Sequence, residues 1–296
     1  MKPIILSVSS EQSFLTQLQQ GLGCDMGQSH IRSFPDGESY IQIDTDVRDR
    51  DIIIVDSLDY PNPKILPLIF LAATAKDLGA KRVGLVAPYL AYMRQDKRFN
   101  AGEGITSAYF ANLLSHTVDW LITVDPHLHR YQSLSEIYTI PTQVVRAGPS
   151  IAEWISHHIP NPLLIGPDAE SEQWVASIAK HAQAPYVISQ KERHGDQAVS
   201  IVFPSIEKFQ NFTPVLVDDI ISTAQTMIEN IKHLQSLKML LPICIGIHGI
   251  FANNAYQDLL KTGISRVVTC NTVSHPTNAI DIIPSLVEAV RYFKES

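Results

Sequence analysis

Val215-Leu216-Val217-Asp218-Asp219-Ile220-Ile221-Ser222-Thr223-Ala224-Gln225-Thr226 is the stretch on which the fold turns. An apolar strand runs into two adjacent acids, and a hydroxyl-rich turn then opens a helical pattern over Thr223–Leu237. The next apolar run is Ile243–Ile247. Strand, polar turn, helix and strand form the unit of a parallel sheet, because parallel neighbours must be joined by a long crossover. The first half of the chain carries the same order: Ile52–Asp56, a polar turn, the helical pattern Leu66–Leu78, then Arg82–Val86. Val55 to Arg82 spans 27 residues and Val217 to Ile243 spans 26, as two related halves would, although any α/β chain produces similar periods.

Further strands are expected at Pro3–Val8, Tyr40–Ile43, Trp120–Val124, Thr142–Val145, Leu163–Gly166, Tyr186–Ser189 and Arg266–Thr269. In Glu170–Ala182 the residues Trp174, Val175, Ile178, Ala179 and Ala182 share one helix face. The fold class is therefore α/β, with mostly parallel sheets flanked by helices. Arg146–Ser150 is the expected boundary, giving domains over residues 1–145 and 146–296.

The 296 residues are 45% hydrophobic and 18% charged, enough apolar material for two cores and too little charge for a disordered chain. A formal net charge of -7 speaks against nucleic acid or an anionic membrane as partner, while leaving room for a local anion pocket. Cys24, Cys244 and Cys270 have neither disulfide nor metal spacing, which suits a reducing compartment. The longest apolar runs, Ile65–Ala75 and Met239–Phe251, are too short for a membrane span, and the N-terminus lacks a secretory pattern, so a cytoplasmic location is expected.

Five polar segments are candidates for chemistry. Asp218 and Asp219 can accept bonds from vicinal sugar hydroxyls or organise a metal through water, and the Ser222–Thr226 turn offers amides and hydroxyls to a phosphate; the same turn also reads as an ordinary helix cap. Asp168, after Leu163–Gly166, suits a divalent cation or an acceptor hydroxyl, and equally an N-cap. His127 and His129 flank Leu128 just past a strand, without a third ligand nearby in sequence. Arg94, Lys97 and Arg98 concentrate positive charge among aromatics. Ser189–Asp196 places Lys191 and Arg193 in an expected mobile loop, where they can offset charge developing in a transition state, or form a charged hairpin tip. The P-loop signature G-x-x-x-x-G-K-[ST] is absent, and Gly21 and Gly23 lack dinucleotide-binding spacing.

Taken in order, these segments resemble the ribose-phosphate diphosphokinases, also called phosphoribosyl-pyrophosphate synthetases. Phe34-Pro35-Asp36-Gly37-Glu38 is similar to the family's F-x-D-G-E segment, and Tyr92–Arg98 to its Y-x-R-Q-D-[RK]-[KR] motif. Asp125-Pro126-His127 falls where the family has D-x-H, Gly166-Pro167-Asp168 at its S-P-D turn, and Lys191-Glu192-Arg193 at its K-x-R segment. Val217–Thr226 resembles the phosphoribosyl signature, with Ser222 where many members carry Asp and Gln225 where they carry Gly. His248–Phe251 and Asn271–Pro276 resemble H-G-x-F and T-N-T-x-x-H-P.

The resemblance implies two domains of type I phosphoribosyltransferase-like fold, with the C-terminal helix (284–296) packing back on the first. It implies transfer of the β,γ-pyrophosphoryl group of Mg-ATP to the C1 hydroxyl of ribose 5-phosphate, with AMP as leaving group. Lys191 and Arg193 are then catalytic. Phe34, Asp36, Gly37, Glu38, Arg94, Gln95, Asp96 and Lys97 bind ATP, the Phe34 segment acting from a neighbouring subunit of a homo-oligomer. Arg193, Asp218, Asp219, Ser222, Thr223, Ala224, Gln225 and Thr226 bind ribose 5-phosphate, and His127 and Asp168 serve Mg²⁺. A nucleobase phosphoribosyltransferase shares Val217–Thr226 but has no use for Arg94–Arg98 or Lys191–Arg193. A non-catalytic regulatory paralogue has no need to keep Lys191 and Arg193.

Overall fold

The structure, a computed structural model, describes residues 1–194 and 198–295, with side chains outside 191–201 and 294–295. Two compact units emerge, residues 1–146 with 283–296 and residues 147–282. The first contains β1 (Ile4–Leu6), α1 (Gln12–Leu22), β2 (Asp25–Met26), the hairpin β3 (Ser29–Ser33) and β4 (Ser39–Ile43), β5 (Asp51–Val55), α2 (Asn62–Asp77), β6 (Arg82–Ala87), α3 (Thr106–Thr117), β7 (Trp120–Val124) and β8 (Thr142–Val145). Its parallel sheet has the order β2-β1-β5-β6-β7-β8. Ile52, Ile53, Ile54 and Val55 are all buried, which is why β5 reads as an unbroken apolar run: helices cover both faces.

The second unit contains α4 (Gly148–His158), β9 (Pro162–Gly166), α5 (Glu172–Ala182), β10 (Tyr186–Ile188), β11 (Gln190–His194), β12 (Ala198–Val202), β13 (Thr213–Ile221), α6 (Gln225–Ser236), β14 (Ile243–Gly249), α7 (Ala255–Lys261), β15 (Arg266–Cys270) and β16 (Asn278–Ile280). Its order, β10-β9-β13-β14-β15-β16, matches the first sheet position for position, with β9 in the place of β1 and β13 in that of β5. The last helix, α8 (Ile283–Glu295), belongs to the first unit, against α1, β7 and β8. There Phe293 lies 5.6 Å from Trp120, ring to ring, and Arg291 donates to the Gly21 carbonyl at 2.6 Å.

Two expectations about the strands need correction. Gln190–His194, read as part of a mobile loop, is a strand paired antiparallel with β12. Strand β13 continues to Ile221 because Ile220 and Ile221 pair with His248 and Gly249 of β14, so the acid pair sits within a strand and not at its end. Among the described residues no helix is long and apolar enough to cross a membrane.

Asp56 directly follows strand β5 and is the counterpart of the β13 acids, and there the carboxylate has become structural. Fully buried, it accepts from the Val8 and Ser9 amides at 2.7 and 2.8 Å and from the Ser7 and Ser9 hydroxyls at 3.2 and 3.1 Å. Burial raises its pKa, and these four donors oppose the rise. Asp56→Ala leaves the Val8 and Ser9 amides without their buried acceptor, so a loss of about 1–3 kcal/mol is expected in urea unfolding; a change below about 0.5 kcal/mol means the 7–9 turn is held by something else.

Candidate functional site

In the second unit, β13 and β9 run side by side, and both deliver acids. Asp168 follows β9 in extended conformation and caps the turn after it, accepting from the Ser171 amide at 3.0 Å. Asp218 is largely shielded from solvent and accepts from the Asp219 amide at 3.0 Å. Desolvation holds its carboxyl well above the usual aspartate range, and the negative charges of Asp219 and Asp168 push it further. Three carboxylates thus share one corner of the unit. Such a corner attracts a divalent cation or hydroxyl donors.

Immediately after β13 the chain turns through Ser222 and Thr223 to Ala224, which has a left-handed φ of 61°. A non-glycine residue in that region is strained. Helix α6 begins only at Gln225, one residue past Ala224, which is buried; the expected helical start at Thr223 is corrected accordingly. The amides of Thr223–Thr226 have no acceptor among the described residues. Open amides at a helix N-terminus form an anion cradle. Thr223 and Gln225 are exposed, and Ser222 and Thr226 half-buried.

In the first unit the β3–β4 hairpin carries Phe34, Asp36, Gly37 and Glu38 at an exposed tip. Phe34 donates to the Glu38 carbonyl at 2.7 Å, and Gly37 takes a φ of 93°, which only glycine adopts at no cost. The Arg32 guanidinium sits over both Phe34 and Tyr40 at 4.7 and 4.4 Å. Arg94 and Lys97 are exposed and Gln95 is half-buried, but Asp96 is buried and paired with Arg130 at 3.3 Å. Tyr131 donates to the Asp96 carbonyl at 3.3 Å. Asp96 therefore ties the basic segment to the one that carries His127. His127 Nδ1 lies 2.8 Å from His129 Nε2.

Glu103, which the motifs do not single out, organises the basic segment. Its carboxylate accepts from the Phe99 and Asn100 amides at 2.7 and 3.0 Å and from the Asn100 side chain at 2.6 Å, and those bonds lower its pKa, the side-chain one most. Nothing in the local pattern marks Arg130 or Glu103, since each acts through residues fixed by the folded loop. Lys191 and Arg193 occupy alternate positions of β11, and their side chains lie outside the described residues.

Paired acids leading into an open-amide turn on a parallel sheet are the frame of a phosphoribosyltransferase-like unit, and the chain matches the phosphoribosyl transferase domain family over residues 133–282. Residues 3–117 match the N-terminal domain of ribose phosphate pyrophosphokinase. Ribose-phosphate pyrophosphokinase of Saccharolobus solfataricus is 32% identical over 95% of this chain and 96% of its own length. That of Methanobrevibacter smithii is 28% identical over 97% and 100%. The crystal structure of phosphoribosylpyrophosphate synthetase from Mycobacterium smegmatis shares the fold, with a TM-score of 0.86 over 100% of both chains at 22% identity. The chain belongs to the ribose-phosphate pyrophosphokinase family.

Proposed function

We propose that this chain transfers the β,γ-pyrophosphoryl group of Mg-ATP to the C1 hydroxyl of ribose 5-phosphate, releasing AMP. The observation that carries the reading is the acid pair of β13 leading into the open amides of Thr223–Thr226. Asp218 and Asp219 hold the ribose diol and Ser222–Thr226 the 5-phosphate, so the sugar is fixed at both ends and its C1 hydroxyl is oriented for attack. Arg94, Gln95, Asp96 and Lys97 serve ATP, Asp96 by anchoring the segment through Arg130. Lys191 and Arg193 offset charge as the β-phosphorus is attacked. An anomeric hydroxyl oriented in this way needs no strong general base.

Mg²⁺ fits the donor set. Asp218 is desolvated and crowded by the negative charges of Asp219 and Asp168, and carboxylate oxygen is the donor this hard ion prefers. Asp168 is assigned to Mg²⁺ in the second unit and His127 to Mg-ATP in the first. When bound, the cation neutralises polyphosphate charge. Action as a cytoplasmic homo-oligomer completes the reading.

The test is AMP release from Mg-ATP by the purified homomer. Release that depends on ribose 5-phosphate supports the proposal; nucleotide made from a free base and phosphoribosyl pyrophosphate, or an inert homomer, overturns it. Phe34 is assigned to adenine stacking, so Phe34→Ala should raise KM for ATP roughly tenfold and leave KM for ribose 5-phosphate unchanged in steady-state assays.

A further inference from the structure

The turn after β14 is built against the start of the open-amide loop. Ile250 and Phe251 both donate backbone bonds to the Ile221 carbonyl, at 3.1 and 2.9 Å, and Ala252 donates to the Ser222 carbonyl at 3.0 Å. The conformation required is costly. Phe251 has a left-handed φ of 45°, strained for an aromatic residue. Gly249 makes it possible, because a Cβ there would come within 2.7 Å of the Phe251 ring and 2.9 Å of the Thr269 methyl.

Side chains from a different segment hold that turn in place. The Phe251 ring lies 4.3 Å from the His275 ring and 5.4 Å from Tyr256, and Tyr256 meets His275 edge-on at 5.0 Å. His275 is fixed in turn by polar bonds. Its Nδ1 lies 2.8 Å from Thr277 Oγ1 and accepts from the Thr277 amide at 3.3 Å. Thr277 Oγ1 is 2.8 Å from Thr269 Oγ1, and Asn278 Nδ2 donates to Thr269 Oγ1 at 2.8 Å. The His275 amide donates to Asn278 Oδ1 at 3.0 Å. Burial lowers the His275 pKa, so the ring stacks as a neutral imidazole. Strand β14 is pinned at the same level, with His248 Nδ1 2.9 Å from Thr272 Oγ1, which donates to the Ile247 carbonyl at 2.8 Å.

We infer that His275, through Phe251 and the Ile250–Ala252 amides, is a positioning residue for the sugar-phosphate loop Ser222–Thr226. This rests on the proposed role of that loop. The brace leads to the carbonyls of Ile221 and Ser222, where the chain leaves the sheet, so its loss shifts the amides that would receive the phosphate and leaves the ATP segments of the first unit untouched. A displacement of under an ångström in such a cradle is felt as affinity.

The test compares His275→Ala, His275→Asn and Thr277→Val with the unaltered homomer, measuring kcat and both KM values, with melting curves as a control on folding. In His275→Ala, KM for ribose 5-phosphate should rise roughly tenfold with KM for ATP unchanged. His275→Asn, which keeps an acceptor near the Nδ1 position but loses the ring against Phe251, should recover only a small part of the loss. Thr277→Val removes only a hydroxyl and should give a smaller rise of the same kind; it stands in if His275→Ala fails to fold. Equal changes in both KM values, or no change in either, overturn the brace. Unaltered protein whose AMP release ignores ribose 5-phosphate overturns the loop's role itself, so the two failures are distinguishable.

Discussion

Replacing Asp218 with asparagine is expected to lower kcat/KM for ribose 5-phosphate at least a hundredfold and, at the same time, to raise the Tm of the magnesium-free protein. A hydrogen bond to a charged acceptor contributes about 1.5–3 kcal/mol, and the diol loses much of two such bonds; each 1.4 kcal/mol is tenfold in affinity. Stability moves the other way because Asp218 is desolvated beside Asp219 and Asp168, which raises its folded pKa above the unfolded value. A group shifted in that direction contributes stability that is full below the unfolded pKa and is lost as pH rises through the folded one. Asparagine never ionises, so the stabilisation by Asp218→Asn should be absent in acid and grow as pH rises through the raised pKa. The same ionisation should place the acid limb of kcat/KM above the ordinary aspartate range, and Asp218→Asn should move it. Melting curves and pH–rate profiles of both proteins decide the matter. A variant that is less stable across the whole range shows that the carboxylate is structural, as at Asp56, and not held for a ligand.

Lys191→Ala should cut kcat by roughly two to three orders of magnitude, the usual cost of removing one donor that acts on transition-state charge, while KM for ATP changes little. Charge on the transferred group redistributes only as the β-phosphorus is attacked, so a cation used at that moment appears in kcat and not in ground-state binding. Lys191 and Arg193 sit two apart on β11, and both are assigned to the transferred group's charge. Arg193 should therefore show a related loss, with an added rise in KM for ribose 5-phosphate, which it is also assigned to bind. Turnover within a few-fold of normal for Lys191→Ala removes β11 from the reaction.

Much of this was legible from local pattern. Burial on both faces leaves a parallel strand no polar residues to spend, so Ile52–Val55 and Val215–Val217 declare themselves as sheet interior, and 3.6-residue spacing does the same for α5 and α6. The acid pair and the hydroxyl turn are contiguous, so their chemistry needs no knowledge of what packs beside them. Contacts between distant segments are different in kind. Asp56 closing on Ser7–Ser9, Asp96 on Arg130, α8 on Trp120, and His275 behind Phe251 all depend on which surface each segment meets, and no residue spacing records that choice. The extension of β13 to Ile221 and the strand at Gln190–His194 were hidden for the same reason, since a polar stretch becomes a strand only when a neighbour supplies its hydrogen bonds. Apolar patterning is imposed residue by residue by water, whereas partner choice is a property of the assembled core.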